Sequence, residues 1–456
     1  MGDQARQQPL SPPAWERDRQ PKVARGEGQN RRLLWLTLLV ALALRLIFGL
    51  AQDPRAVFAN RSADSGWYLD NGYALVTGHS PDGVVTDVSN LAPPPIYFIL
   101  IGVPQMFLAR TDAVIIIRVF QAILSTMTCY FAYRLALRLT GREAAGLLVA
   151  GVLAISPVFI IESAQILTET VFIFLLTGGV WLYVEYVHES SVGARHASPL
   201  QNPKSIWLLV LAAALLGLAT LTRAVLLAFP FGLALHLIMV RGWRKGWRHA
   251  VLLLVVYALV VSTWTIYSVA RWNRFVIAGA GLPDFLYIGA TETGWTSPQE
   301  IDQSLAQQSP TGDPVEAAQT IISADPLGWA RRRVENLAEA YLQPHGTTFF
   351  PGESLRDLAV GTLHGEVSLS ALVGGDAFWS KLALYLLHYV GLLAGLVGIW
   401  LYRRQWRVAL PMLGVIAYLT LVHLFLYALP RYLFPAELFW WVFAAAALAR
   451  LRILAR

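Results

Sequence analysis

The chain has 456 residues, 56% of them hydrophobic and only 14% charged. Soluble domains carry roughly 25% charged residues, and the apolar residues here gather into about ten blocks, each long enough to cross a hydrocarbon core of about 30 Å. A soluble enzyme is excluded; the expected fold is an all-α polytopic membrane protein of about ten transmembrane helices.

Residues 1–32 are polar, rich in Arg, Gln and Pro, and read as a disordered cytoplasmic tail. Spans are predicted at 33–52, 112–137, 143–161, 169–187, 206–222, 224–240, 250–271, 381–402, 408–429 and 432–449. The first reads as an uncleaved anchor, because its apolar stretch is long, contains Arg45 and follows a long leader. The first external loop, 53–111, is too long for a plain connector. Within it the apolar piece 93–109 is broken by Pro104 and fits an interfacial or re-entrant helix. The single cysteine, Cys129, lies inside a predicted span, which rules out an intrachain disulfide and a Cys-based metal site. Residues 33–273 therefore form a membrane core. They are followed by an external region, 274–380, with one amphipathic helix near 326–342, and by the last spans, 381–456. Neither half mirrors the other, as the halves of a transporter built from inverted repeats often do.

With the N-terminal tail in the cytoplasm and sides alternating, the cytoplasmic pieces hold 22 of the 36 basic residues and 7 acids. The opposite side receives 274–380, with 13 acids and 5 Arg. This is the positive-inside pattern for an even number of spans with both termini cytoplasmic. The net charge of +7 is a topology signal, so nucleic acid is set aside.

The residues most suited to chemistry lie near the outer ends of spans. Asp64 follows the first span and precedes a short helix carrying Tyr68 and Tyr73. A carboxylate near the bilayer surface, backed by aromatic rings, can accept a proton from a sugar hydroxyl. It can equally cap the helix that begins at Ser65, and spacing alone leaves both readings open. Glu162 and Glu169 bracket the short loop between the third and fourth spans, where acids at a membrane edge are costly and often functional. Arg431, Arg223, Arg271, Arg274 and the more deeply set Arg45 are the cations available for a phosphate, which a guanidinium binds as a two-pronged fork; each can also snorkel to headgroups. His345 and His364 read as ordinary surface residues, and His236, His388 and His423 as packed polar groups within spans. Trp67 and Trp295 could stack on a sugar.

The pattern Asp64-x-x-x-Tyr68, then Ala74 and Gly78, then Pro94-Pro95-x-Tyr97, resembles the first external loop of GT-C membrane glycosyltransferases. These are the protein-mannosyltransferase and aminoarabinose-transferase-like enzymes that use polyprenyl-phosphate sugars. The resemblance continues through Arg118-Val-Phe-Gln-Ala122, SPVFIIESAQILTETVFIFLL at 156–176, SADPLGWARRRVENL at 323–337 and LPRYLFPAELFW at 429–440. It implies that Asp64 is the catalytic base, that Glu169 is an acid near the donor, and that Arg431 stabilises the leaving phosphate. Some relatives carry two adjacent acids in this loop, whereas here Asp64 is followed by Ser65.

Together these readings predict an inverting glycosyltransferase of the cell membrane. It would pass a sugar from a polyprenyl phosphate to a hydroxyl of a lipid, glycan or protein on the extracytoplasmic face. Asp64 and Glu169 are the expected catalytic residues; Tyr68, Arg431, Tyr432, Arg223, Arg45 and Glu162 are the expected substrate-binding ones. No cofactor is expected, although the acids could hold a divalent cation. A lipid-linked glycan polymerase or ligase using a diphosphate donor is one alternative reading, and a transporter or lipid flippase is another.

Overall fold

The computed structural model describes residues 20–59, 64–81, 94–193, 203–291, 298–309 and 311–454. Its helices in chain order are α1 (Gln20–Ala51), α2 (Ala56–Ala59), α3 (Asp64–Thr77), α4 (Pro95–Phe107), α5 (Arg110–Thr140), α6 (Glu143–Ile155), α7 (Pro157–Ala164), α8 (Glu169–Gly193), α9 (Pro203–Thr220), α10 (Phe229–Arg241), α11 (Trp243–Trp272), α12 (Leu282–Ala290), α13 (Pro298–Gln308), α14 (Pro314–Ala324), α15 (Pro326–Leu342), α16 (Leu355–Leu363), α17 (Leu369–Gly374), α18 (Phe378–Tyr402), α19 (Trp406–Phe425) and α20 (Pro430–Leu454). This is a multi-pass, all-helical membrane protein, as the hydropathy pattern predicts.

Among the described residues, seven helical stretches are long and apolar enough to cross a membrane, or eight if the bent pair α6 and α7 is one span. The difference from ten has identifiable causes. The predicted span 143–161 is bent by 55° where Pro157 follows Ser156, because the residue before a proline is pushed out of helical geometry. The apolar part of α9, Ser205–Thr220, is short for a span. The 48-residue stretch Phe378–Phe425 contains a tight turn at Arg403–Gln405. Tyr341 reaches both sides of that turn, its carbonyl meeting His388 and its hydroxyl Thr420, so the chain reverses there, and both α18 and α19 pack on α20.

Two further boundaries shift. Helix α1 begins at Gln20, well before the expected start at 33, and residues 1–19 of the expected tail lie outside the described residues. The Ala, Glu, Gln and Arg ahead of the span are good helix formers. Helix α4 runs through Pro104 to Phe107 instead of breaking there. It packs on α3 with backbones nearly touching: a Cβ at Gly102 would collide with the carbonyl of Gly72. Gln105 fixes the register by donating to Leu69 O at 3.0 Å.

Buried polar side chains hold the bundle where helices stop. The last carbonyls of α6 have no intrahelical partner, and the buried Arg45 of α1 supplies them, donating to Leu153 O at 2.9 Å and Ala154 O at 3.1 Å. Its Nε donates to Ser125 at 2.8 Å. At the other end of the bundle the buried Glu185 of α8 takes Arg134 at 2.6 Å, Arg138 at 2.7 Å and the indole of Trp181 at 2.9 Å. Replacing Arg45 with Met would leave the α6 carbonyls unmet, at about 1–3 kcal/mol each. The Arg45→Met protein should melt several degrees lower in a detergent thermal-shift assay, with donor affinity unchanged.

Candidate active site

The start of α8 is prepared by side chains of α5. Between α7 and α8 the chain leaves helical geometry over 165–168. Gln121 of α5 donates to Ser163 O at 3.1 Å and Gln165 O at 2.6 Å, and Arg118 donates to Ala164 O at 3.1 Å. Arg118 also reaches Gln52 O, at 2.8 Å, where the first span ends. One stretch of α5 thus fixes both the exit that leads to Asp64 and the break that leads to Glu169.

Glu169 is the first residue of α8 and is fully buried. Two guanidiniums share its carboxylate. Arg223, in the turn after α9, donates to Oε1 at 3.0 Å. Arg431, at the head of α20, bonds Oε1 through Nε and approaches Oε2 through Nη2 at 3.4 Å. The Nη1 of Arg431 then pairs with the Asp64 carboxylate, which opens α3 and is 59% exposed. The result is an alternating row, Asp64, Arg431, Glu169, Arg223, exposed at Asp64, fully buried at Glu169 and partly exposed again at Arg223.

Aromatic rings wall this row. Arg223 lies 5.7 Å from the Phe172 ring and 5.6 Å from that of Tyr432, a cation–π setting. Tyr432 stacks on His423 at 5.2 Å. Tyr68 meets Tyr97 edge to face at 5.5 Å. Burial raises the pKa of the Tyr68 phenol and the Glu169 carboxylate beside it adds to this, so Tyr68 stays protonated and available as a donor.

The segment 274–380 holds Arg431 in place from behind. The loop before α20 is gripped by α15: Arg333 donates to Leu426 O at 2.8 Å, and Asn336 exchanges two bonds with Ala428, at 2.9 and 3.1 Å. Below the row, His345 Nε2 meets Glu162 Oε1 at 2.6 Å with both side chains buried. His345 packs on Phe434, three residues after Arg431, with ring centroids 4.8 Å apart.

Comparison with known proteins follows this geometry. Residues 88–288 match the family model described as dolichyl-phosphate-mannose-protein mannosyltransferase. No curated protein matches the sequence at a significant level. Among solved structures the chain is similar to the oligosaccharyltransferase of Archaeoglobus fulgidus. With its apo form the TM-score is 0.52 at 15% identity, covering 93% of this chain and 52% of that one. With the form tethered to an acceptor peptide the TM-score is 0.53 at 13% identity, covering 93% and 50%. With AglB bound to an inhibitory peptide and a dolichol-phosphate it is 0.50 at 13% identity, covering 94% and 51%. The chain spans about half the length of these structures, and the likeness is one of fold. The chain is thus similar to this mannosyltransferase family over residues 88–288 and to the oligosaccharyltransferase in fold.

In this chain Asp64, Tyr68, Glu169, Arg223, Arg431 and Tyr432 are brought together. Arg45 is not among them, because its guanidinium is consumed by the end of α6. Glu162 faces His345 instead of the arginines. His345 itself was expected on the surface and is buried, since Glu162, distant in sequence, supplies its partner. Arg271, Arg274 and His364 are exposed. Trp67 lies beside Tyr68, and Trp295 falls outside the described residues. Glu437, two turns beyond Arg431 on α20, was passed over in the sequence; it lines a small cavity with His345, His388 and Tyr341. An acid inside an apolar span was the signal that could have found it. No cluster of His, Cys, Asp and Glu with the arrangement to hold a metal ion occurs among the described residues.

Removing one partner of a buried ion pair typically costs about 3–5 kcal/mol, because the other charge stays buried. Glu169→Gln leaves Arg223 without its carboxylate and Arg431 with Asp64 alone. It should cause a large fall in thermal stability, and adding Arg223→Gln should return part of it. Additive losses in that double-mutant cycle would mean that the two side chains are not coupled.

Proposed function

We propose that the protein transfers a sugar from a polyprenyl-monophosphate carrier to a hydroxyl group in one inverting step at the extracytoplasmic face, with both chain termini cytoplasmic. The matched family's description supports mannose on a dolichyl-type carrier as the first donor to test and a protein hydroxyl as the first acceptor. The observation that carries the reading is the contact of Arg431 with both the exposed Asp64 and the buried Glu169, with Arg223 on the far side of Glu169.

Such a displacement requires an acceptor oxygen in line with the anomeric carbon, a group that removes its proton, and cations for the departing phosphate. Arg431 and Arg223 fit the last role as forked donors fixed before substrate arrives. Glu169 acts on them from below, balancing their charge and fixing their planes. Asp64 stands at the exposed end, where an acceptor hydroxyl can reach it. A donor phosphate on Arg431 competes with Asp64 for that guanidinium and frees the carboxylate to take the hydroxyl proton. As the acceptor oxygen bonds to the sugar, the bond from sugar to phosphate breaks and its electron pair leaves with the phosphate. Tyr68 and Tyr432 line the sugar's place.

Asp64→Asn keeps the shape of the side chain but cannot take a proton. It should lower transfer by about 10²–10⁴-fold while donor binding persists. Arg431→Ala should weaken donor binding and turnover together. Both are read with a radiolabelled polyprenyl-phosphate sugar and purified protein in lipid. Undiminished transfer by Asp64→Asn overturns the base assignment, and release of a lipid diphosphate would favour the polymerase or ligase reading.

A further inference from the structure

Between α15 and the span α18 the chain forms a small helical hairpin, α16 and α17, whose apolar residues the protein leaves uncovered. Leu363 is 86% exposed and Leu369 68%; Val360 and Val373 are exposed as well. Val360 and Leu363 stand three apart on α16, and Leu369 and Val373 four apart on α17, so each pair shares a helix face. The other side of the hairpin is occupied: Gly361 packs on Val367, and Gly375 lies against Leu358.

The hairpin's depth is set by how it is tied to α18. Lys381, buried near the head of α18, donates to Gly352 O at 3.0 Å and Glu353 O at 2.7 Å. Lys381 lies two residues into the span from Trp379, which at a rise of about 1.5 Å per residue is deeper by roughly 3 Å. Trp379 is itself 71% exposed and begins the apolar outer face that continues through Leu386 and Leu393. The hairpin therefore starts close to the aromatic rim of the span, beside its lipid-facing surface.

We propose that α16 and α17 form an interfacial paddle, with Val360, Leu363, Leu369 and Val373 embedded in lipid of the leaflet on the Asp64 side. An amphipathic segment too short to span rests about 5–10 Å into the boundary between headgroups and acyl chains, and Lys381 ties the start of this one close to the rim of the span. The connecting turn, with exposed His364, Glu366 and Ser368, lies among the headgroups. The segment 274–380 is thus part membrane-resident, in addition to gripping the loop before Arg431. The paddle stands whether or not the proposed transfer chemistry is right.

The test uses nitroxide-labelled cysteines at Leu363→Cys, Val373→Cys and Glu366→Cys in the full chain, in phosphatidylcholine nanodiscs; the native Cys129 is buried. Power-saturation electron paramagnetic resonance should show oxygen accessibility exceeding that of a water-soluble nickel chelate at positions 363 and 373, and the reverse at 366. Chelate accessibility dominating at 363 and 373 would place the hairpin in water and overturn the proposal. Inaccessibility to both reagents would mean that protein covers it, and would overturn it too. The two positions are independent, so poor expression of one variant leaves the other to decide.

Discussion

One buried carboxylate organises the polar end of this molecule. Glu169 has no solvent exposure, so its charge must be met by protein, and Arg223 and Arg431 meet it from two separate parts of the chain. The constraint runs both ways. Two guanidiniums held side by side repel one another unless an anion lies between them, so each fixes where the others stand. Asp64 joins this arrangement only at its outer edge. It is the member that substrate can displace without exposing a buried charge.

Much of the remaining structure serves that placement. Arg118 and Gln121 satisfy the carbonyls freed where α7 gives way to α8, and Arg118 ties the same point to the end of α1. Arg333 and Asn336 clamp the loop that delivers Arg431. Helix α4 links α3 to the Arg223 turn, since Ile96 N donates to Leu221 O at 3.0 Å. The four charged residues thus come from four helix ends; side chains of α5 and α15 hold the ends that carry Glu169 and Arg431, and the backbone of α4 holds the Arg223 turn. Such preorganisation suits a reaction whose transition state needs fixed charges more than covalent help.

The sequence disclosed the helices because apolar residues that must face lipid or core leave a one-dimensional trace. It also disclosed Asp64, Glu169, Arg223 and Arg431, because charges at span ends stand out against an apolar background. What it could not disclose is which charge meets which. Arg45 and Arg431 look alike as cations near an outer rim, yet one caps the end of α6 and the other reaches two carboxylates. His345 read as a surface histidine because Glu162 is 183 positions away and no periodicity links them. Arg118 and Gln121 were visible only as part of a resemblance; their work on main-chain carbonyls depends on a helix break formed far along the chain.

The most direct measurement is a cryo-electron microscopy structure of the protein bound to a polyprenyl-phosphate sugar whose glycosidic bond cannot be cleaved. The account predicts phosphate oxygens within about 3 Å of the Arg431 and Arg223 guanidiniums, Glu169 still beneath them, and the Asp64 carboxylate released from Arg431 and turned toward the anomeric carbon. A donor phosphate bound away from both arginines, with the pair between Asp64 and Arg431 intact, would contradict it.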